Sequence, residues 1–179
     1  MDYEPQPDPN LASELRQGAG REWAEEAAQD EKLTELHRRR RMTLADLAKE
    51  WVNKGDRVSI EFDGHSFSGA VSIAGEDYVT IEGPGQAADV KLAEARWSIL
   101  PNDAPSGMEA TGPESFRALL HEHSASEKVV RLALPSGDMA IGALAVVADD
   151  HVEMIDVDER RLVVPMKMIL AVVRSSVAQ

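Results

Sequence analysis

Along residues 58–81, VSIEFDGHSFSGAVSIAGEDYVTI, apolar and polar positions alternate, break at Asp63-Gly64, alternate again, and break at Gly75-Glu76-Asp77. Alternation with period two puts every second side chain on one face. Each run therefore predicts a half-buried antiparallel strand, and each glycine-containing break a turn. The pattern then returns. A shift of 72 residues lays TLADLAKEWVNKGDRVSIEFD (residues 43–63) over SFRALLHEHSASEKVVRLALP (residues 115–135). Beyond Ser136 the shift is 73, which sets Gly64 on Gly137, Gly69 on Gly142, Asp77 on Asp150 and Val79 on Val152. Past the next loop the shift is read as 72 again, with Val90 and Leu92 over Leu162 and Val164. The chain is an internal duplication of roughly 58 residues per copy.

Each copy opens on a helical segment. Thr43 and Asp46 predict an N-cap with a reciprocal acid, and Leu44, Leu47 and Trp51 recur at helical spacing. For the second copy the expected cap is Thr111 with Glu114, with Pro113 near the first turn and Phe116, Leu119 and Leu120 as the apolar stripe. Gly69 and Gly142 fall inside strands on the face expected to be buried, where glycine permits a sharp bend. Ahead of the copies, residues 11–42 are rich in helix formers and predict a helix interrupted at Gly18-Ala19-Gly20. Its weak stripe of Trp23, Ala27, Leu33 and Leu36 suggests a helix lying on one barrel or on a second chain.

The expected fold class is α+β, mainly β: two tandem small bent antiparallel barrels of the SH3-like kind, each preceded by a short helix, plus an N-terminal helix. The expected boundaries are an acidic start and helix over 1–42, a first barrel over 43–101, a linker over 102–114, a second barrel over 115–174 and a tail over 175–179. The linker is marked by the prolines and glycines of PNDAPSGMEATGP. The extreme ends are expected to be disordered.

A helix followed by VSIEFDGHSFSGAVSIAGEDYVTI, a loop and DVKLAEARWSILP resembles the Sm-like superfamily, and within it the bacterial Hfq family. The shared features are the alternation ending in Asp63-Gly64, then Gly69, then Asp77 before a third strand, and a final short strand ending at Pro101. The resemblance implies a small barrel in each copy. Sm-like barrels pair their last strands with a neighbouring barrel and build rings, so it also implies that the copies pair within the chain or with other chains. It brings in RNA binding as a function class. The positions matching the family's second motif read LAEARW and VPMKMI, without the Lys-His pair by which Hfq proteins grip RNA, so no RNA-binding residue carries over.

Charge cuts against nucleic acid. Thirty-two acids face nineteen bases, the net charge is −13, and neither copy nor the N-terminal segment is basic overall. The local exception is Arg38, Arg39, Arg40 and Arg41, the candidate nucleic-acid contact. The competing explanation is a helix C-terminus, where cations complement the macrodipole and Glu35 stands three and four residues upstream. The histidines His37, His65, His121, His123 and His151 do not space as metal ligands, since residues two apart on a helix do not share a face. Acids at Asp149-Asp150 and at Asp156, Asp158 and Glu159 fall where strands should turn, without calcium-loop spacing.

With no glycine-rich phosphate loop, no nucleophile elbow and no cysteine, the chain is not expected to be an enzyme, and no cofactor or metal is expected. The longest apolar run, MAIGALAVVA, is ten residues against the ~20 needed to span a bilayer. No signal peptide is visible, so a soluble cytoplasmic protein without membrane attachment is expected. The most apolar stretch of the second copy, LVVPMKMILAVV, marks Leu162, Val164, Met166, Met168, Leu170 and Val172 as the candidate oligomer or partner edge. The functional expectation is a non-catalytic protein-interaction or regulatory module that forms a homo-oligomer, most simply a dimer. The alternative is an Sm-like RNA-binding regulator that takes single-stranded RNA.

Overall fold

The computed structural model describes residues 9–100 and 111–175, with the side chains of 9–22 outside that description; the expectations for the extreme ends and most of the linker lie beyond it. The chain divides into two units, residues 1–42 and 43–179. In the first, helix α1 (Pro9–Arg41) runs without a break. The interruption expected at Gly18-Ala19-Gly20 does not occur. Each glycine costs about 1 kcal/mol against alanine, which lowers helix stability without forcing a break. Trp23, Leu33 and Leu36 are exposed on this helix.

In the second unit, helix α2 (Leu44–Lys54) starts as its sequence predicts. The Thr43 side chain accepts from the Asp46 N–H while Asp46 accepts from the Thr43 N–H, and Gly55 closes the helix in the left-handed conformation. Helix α3 (Phe116–Ala125) is capped by Ser115, whose hydroxyl accepts from the Ala118 N–H. The cap expected at Thr111 and Glu114 is thus corrected to the residue that the 72-residue shift places under Thr43.

Ten strands follow in two sets of five among the described residues: β1 (Arg57–Phe62), β2 (His65–Ala74), β3 (Tyr78–Gly83), β4 (Gln86–Lys91) and β5 (Arg96–Leu100), then β6 (Val129–Ala133), β7 (Met139–Val147), β8 (His151–Asp156), β9 (Arg161–Pro165) and β10 (Ala171–Ser175). The fold is α+β, with all ten strands in one antiparallel sheet of order β5-β1-β2-β3-β4-β10-β6-β7-β8-β9. Each half has the same internal order, and β4 of the first pairs with β10 of the second.

The halves bend alike. The register shifts between Val71 and Ile73 on β2 and between Leu144 and Val146 on β7, positions equivalent by the 73-residue shift. Beside each bulge sits a glycine that allows close approach: a Cβ on Gly69 would meet the Glu82 carbonyl oxygen, and one on Gly142 the Ile155 carbonyl oxygen. The fourth strands correct the sequence alignment. Val79 pairs with Val90 on β4, and its equivalent Val152 pairs with Val164 on β9, so the shift there is 74 rather than 72.

Two cores result, and they interlock. The first is built on Ile60, Val79, Ile81 and Val90 with Trp51 of α2, and takes in Ala133, Leu170, Ala171 and Val173 from the second half. The second is built on Phe116, Leu120, Leu132 and Met154, and takes in Tyr78 from the first half. No helix among the described residues is long and apolar enough to cross a membrane.

Candidate functional site

The seam between the halves is where the chain joins one five-stranded set to another. Val172 of β10 stands opposite Asp89 of β4, and Arg174 opposite Ala87. The Asp89 carboxylate is fully buried there. It accepts from Arg174 through Nε at 2.9 Å and Nη2 at 2.8 Å, from the Thr80 hydroxyl at 2.7 Å, and lies 3.2 Å from His123 Nε2 of α3. Burial alone would raise the Asp89 pKa. The hydrogen bond to His123, the Arg174 charge and the hydrogen bonds from Arg174 and Thr80 outweigh it and hold the carboxyl below its ordinary value. A buried carboxylate with every oxygen engaged by three elements fixes which strand can lie here.

At one end of the same seam, Lys91 Nζ donates to the Met166 carbonyl oxygen at 2.7 Å and sits 5.1 Å from the Phe116 ring centre; burial pulls its pKa down. Lys91, Asp150, Pro165, Met166 and Lys167 line a hollow of about 620 Å3 beside it. Tyr78 donates to the Pro113 carbonyl oxygen at 2.8 Å, and burial followed by the charges of Asp89, Glu122 and Asp77 pushes its phenol up to about 12. The Asp77 carboxylate accepts from the Phe116 N–H at 2.7 Å, which ties the β2–β3 turn to the start of α3.

The ends of the sheet are β5 and β9. The ladders make them the counterparts of the seam strands: β5 holds in the first half the place of β10 in the second, and β9 the place of β4. The Lys91 N–H donates to the Leu170 carbonyl oxygen, so Lys91, Asp89 and Ala87 turn their backbone groups toward β10. Their equivalents Pro165, Val163 and Arg161 turn theirs outward from β9, and Trp97 and Ile99 do so from β5. Val163 is 60% exposed, Ile99 43% and Leu100 57%. A hollow of about 300 Å3 lined by Ser59, Glu61, Arg96, Trp97 and Ser98 runs along β5.

The residues singled out in the sequence scatter over this frame. Leu162 and Val164 lie on the end strand β9, and Met166 and Met168 form the turn after it. Leu170 and Val172 are buried in the seam itself. Arg38, Arg39, Arg40 and Arg41 form the last turn of α1. Glu35 accepts from Arg38 Nε and Arg39 Nε, each at 2.8 Å, and these bonds lower its pKa to about 2. His65 Nε2 lies 2.8 Å from the Leu134 carbonyl oxygen, Asp149-Asp150 and Asp158-Glu159 lie in turns, and Asp156 ends β8. Among the described residues no three metal-ligating side chains come together. The sequence reading missed Asp89, Arg174 and the role of His123. Only His123 over Trp51, polar against apolar, was a signal in the alignment; the ladder counterparts of Asp89 and Arg174 are Val163 and Ile99, which the strand pairing alone brings into register. No protein-family model matches the chain, and no curated protein matches it either.

Proposed function

We propose that this chain is a non-catalytic interaction module whose two halves are Sm-like small barrels, and that it binds protein by pairing strands at the ends of its sheet. One observation carries the reading: the β4–β10 seam, where one five-stranded set receives the last strand of another through a full antiparallel ladder. Strand addition at an exposed edge supplies affinity through main-chain hydrogen bonds and specificity through alternate side chains. An edge left with outward N–H and C=O groups and exposed apolar side chains is the surface such a module offers. The bulge and glycine contact repeated in each half support the bent barrel-like geometry.

Ile99→Pro and Val163→Pro test the reading, because each removes an outward N–H that the fold does not use, a position where edge strands tolerate proline. Wild-type protein immobilised in its native lysate should retain a defined protein, a copy of itself or another, and both variants should lose it. Retention of no protein by the wild type defeats the reading. The RNA-binding alternative rests on Arg40 and Arg41, the exposed arginines of the cluster that Glu35 does not engage. It requires affinity for single-stranded RNA that falls steeply with salt and is lost in Arg40→Ala/Arg41→Ala.

A further inference from the structure

We infer that helix α1 is a dimerisation element whose partner is the α1 helix of a second copy, lying antiparallel and crossing it at Leu33. The contact uses no sheet edge. It therefore goes beyond the strand-pairing reading, and either one can hold without the other.

Among the described side chains of residues 23–41, all but Glu35 are exposed, Leu33 to 54% and Leu36 to 45%. A helix in water draws most of its stability from packing, so one this long and bare is stabilised by whatever covers it. Residues seven apart share a face, which puts Glu26, Leu33 and Arg40 in one line. Leu36 flanks that line on one side, and Asp30 and His37 flank it on the other. Glu35 pairs with Arg38 and Arg39 on the far side of the helix, and these ion pairs leave the face to Glu26 and Arg40.

The order of charges along this face marks the partner as a second copy. The acids Glu26 and Asp30 come before Leu33, and His37 and Arg40 come after it. Glu26 and Arg40 each stand seven residues from Leu33, and Asp30 and His37 stand three and four residues from it. A two-fold axis at Leu33 therefore sets Glu26 of each chain against Arg40 of the other. The same axis brings Asp30 beside His37, which can donate to it, while two leucines from each chain meet in the middle. The overlap from residue 26 to residue 40 runs about 21 Å. A parallel pair would set acid on acid and base on base, and the same charges reject it. Trp23, ten residues before Leu33, falls opposite the end of the partner helix and outside the contact. With so few apolar side chains the dimer is weak, and it forms at concentrations well above those in a lysate.

The test uses the full chain carrying Ile99→Pro and Val163→Pro, so that the sheet edges are blocked. Sedimentation equilibrium up to about 1 mM registers an association free energy as small as about 4 kcal/mol. This chain should form a dimer of twice 19.5 kDa. Adding Glu26→Arg or Arg40→Glu should weaken the dimer about tenfold, because both cross pairs become like-charged. Mixing those two variants should restore it as a heterodimer, since opposite signs face each other again. Leu33→Asp should abolish it. All these positions are exposed on α1, outside the unit that holds the sheet, so the sheet stays folded in each variant. Orientation is read with cysteines, of which the chain has none of its own. Glu26→Cys and Arg40→Cys should cross-link when mixed and oxidised, and neither should link to itself. A monomer at every concentration, no rescue in the charge-swapped mixture, or self-linking of Glu26→Cys overturns the inference. If the wild type dimerises and the edge-blocked chain does not, the contact belongs to the sheet ends and the strand-pairing reading stands alone. If the edge-blocked chain dimerises and the wild type retains no protein from its lysate, that reading falls and this inference stands.

Discussion

On β2 the ladder slips between Val71 and Ile73 beside Gly69, and on β7 it slips between Leu144 and Val146 beside Gly142. The positions that bend the two halves have stayed in step. The positions where the halves meet have not: Asp89, Arg174 and His123 on one side of the comparison are Val163, Ile99 and Trp51 on the other. Shape is repeated while contact chemistry diverges. A duplicated unit can keep one scaffold and still tell its two ends apart, because bending is fixed by backbone close approach and pairing is fixed by what a strand buries.

Removing the seam's carboxylate is the strongest way to break this comparison. Asp89→Ala leaves the Arg174 guanidinium, the Thr80 hydroxyl and His123 without their shared acceptor. It should cost about 3 kcal/mol, the low end for breaking a buried pair, because the Arg174 side chain keeps 36% of its exposure. Urea unfolding measures it. The pH dependence has a fixed sign. The folded Asp89 pKa lies below the unfolded value, so its contribution is full above about pH 4 and is lost as pH falls through the folded pKa. Asp89→Ala should flatten that acid limb, whereas Val163→Ala at the equivalent end position should leave it alone.

The glycines test the shared half of the comparison. Gly69→Ala and Gly142→Ala each drive a methyl against a backbone carbonyl of the neighbouring strand, and each should cost about 1–3 kcal/mol as overpacking. Equal costs in thermal unfolding would show that both halves rely on the same bend. A large cost at one and none at the other would show that only one half needs it.

How much of this was legible in the sequence follows from what period two can and cannot encode. The repeat, the Thr43 cap and the strands ending at Asp63-Gly64 were readable because local pattern fixes them. The 74-residue shift of the fourth strand was not. A slip of two residues keeps every apolar side chain on the same face, so Val90 over Leu162 looks as good as Val90 over Val164. The Ser115 cap was in the alignment, but Thr111 with Glu114 has the capping-box spacing that Ser115 with Ala118 lacks. Asp89 precedes Val90, and period two sets it on the face opposite the apolar one. It is buried because β4 has a core on both sides, a fact that exists only once β10 and α3 arrive. The six candidate edge residues mixed strand β9 with the buried seam because one apolar string runs through both.

Caps give a smaller test. Thr43→Ala should cost about 1–2 kcal/mol and Ser115→Ala about 1 kcal/mol or less. The difference arises because Thr43 belongs to a reciprocal box, in which its hydroxyl also lies 2.8 Å from Asp46 Oδ2, while Ser115 makes a single bond of 3.2 Å. Thermal unfolding of the two variants ranks them, and the reverse order would mean that the cap of α3 carries tertiary strain that the single bond does not reveal.

A double substitution at the seam should cost less than Asp89→Ala and is the most informative change. Asp89→Val with Arg174→Ile gives the seam the residues of the sheet ends. Removing both members of a buried pair together leaves no charge behind, but the buried Thr80 hydroxyl and His123 still lose their acceptor, so unfolding should cost about 1–2 kcal/mol, less than Asp89→Ala alone. Pairing should change far more. With Val at position 89 and Ile at position 174, Ile99 of β5 would no longer meet a buried carboxylate at β4, and β5 of another chain could compete with β10 for that strand. Single-cysteine versions at Ala88 and Ser98, which stay uncross-linked in the native background, should then cross-link when mixed. If they stay apart, the Asp89–Arg174 pair only stabilises the seam and does not choose which strand enters it.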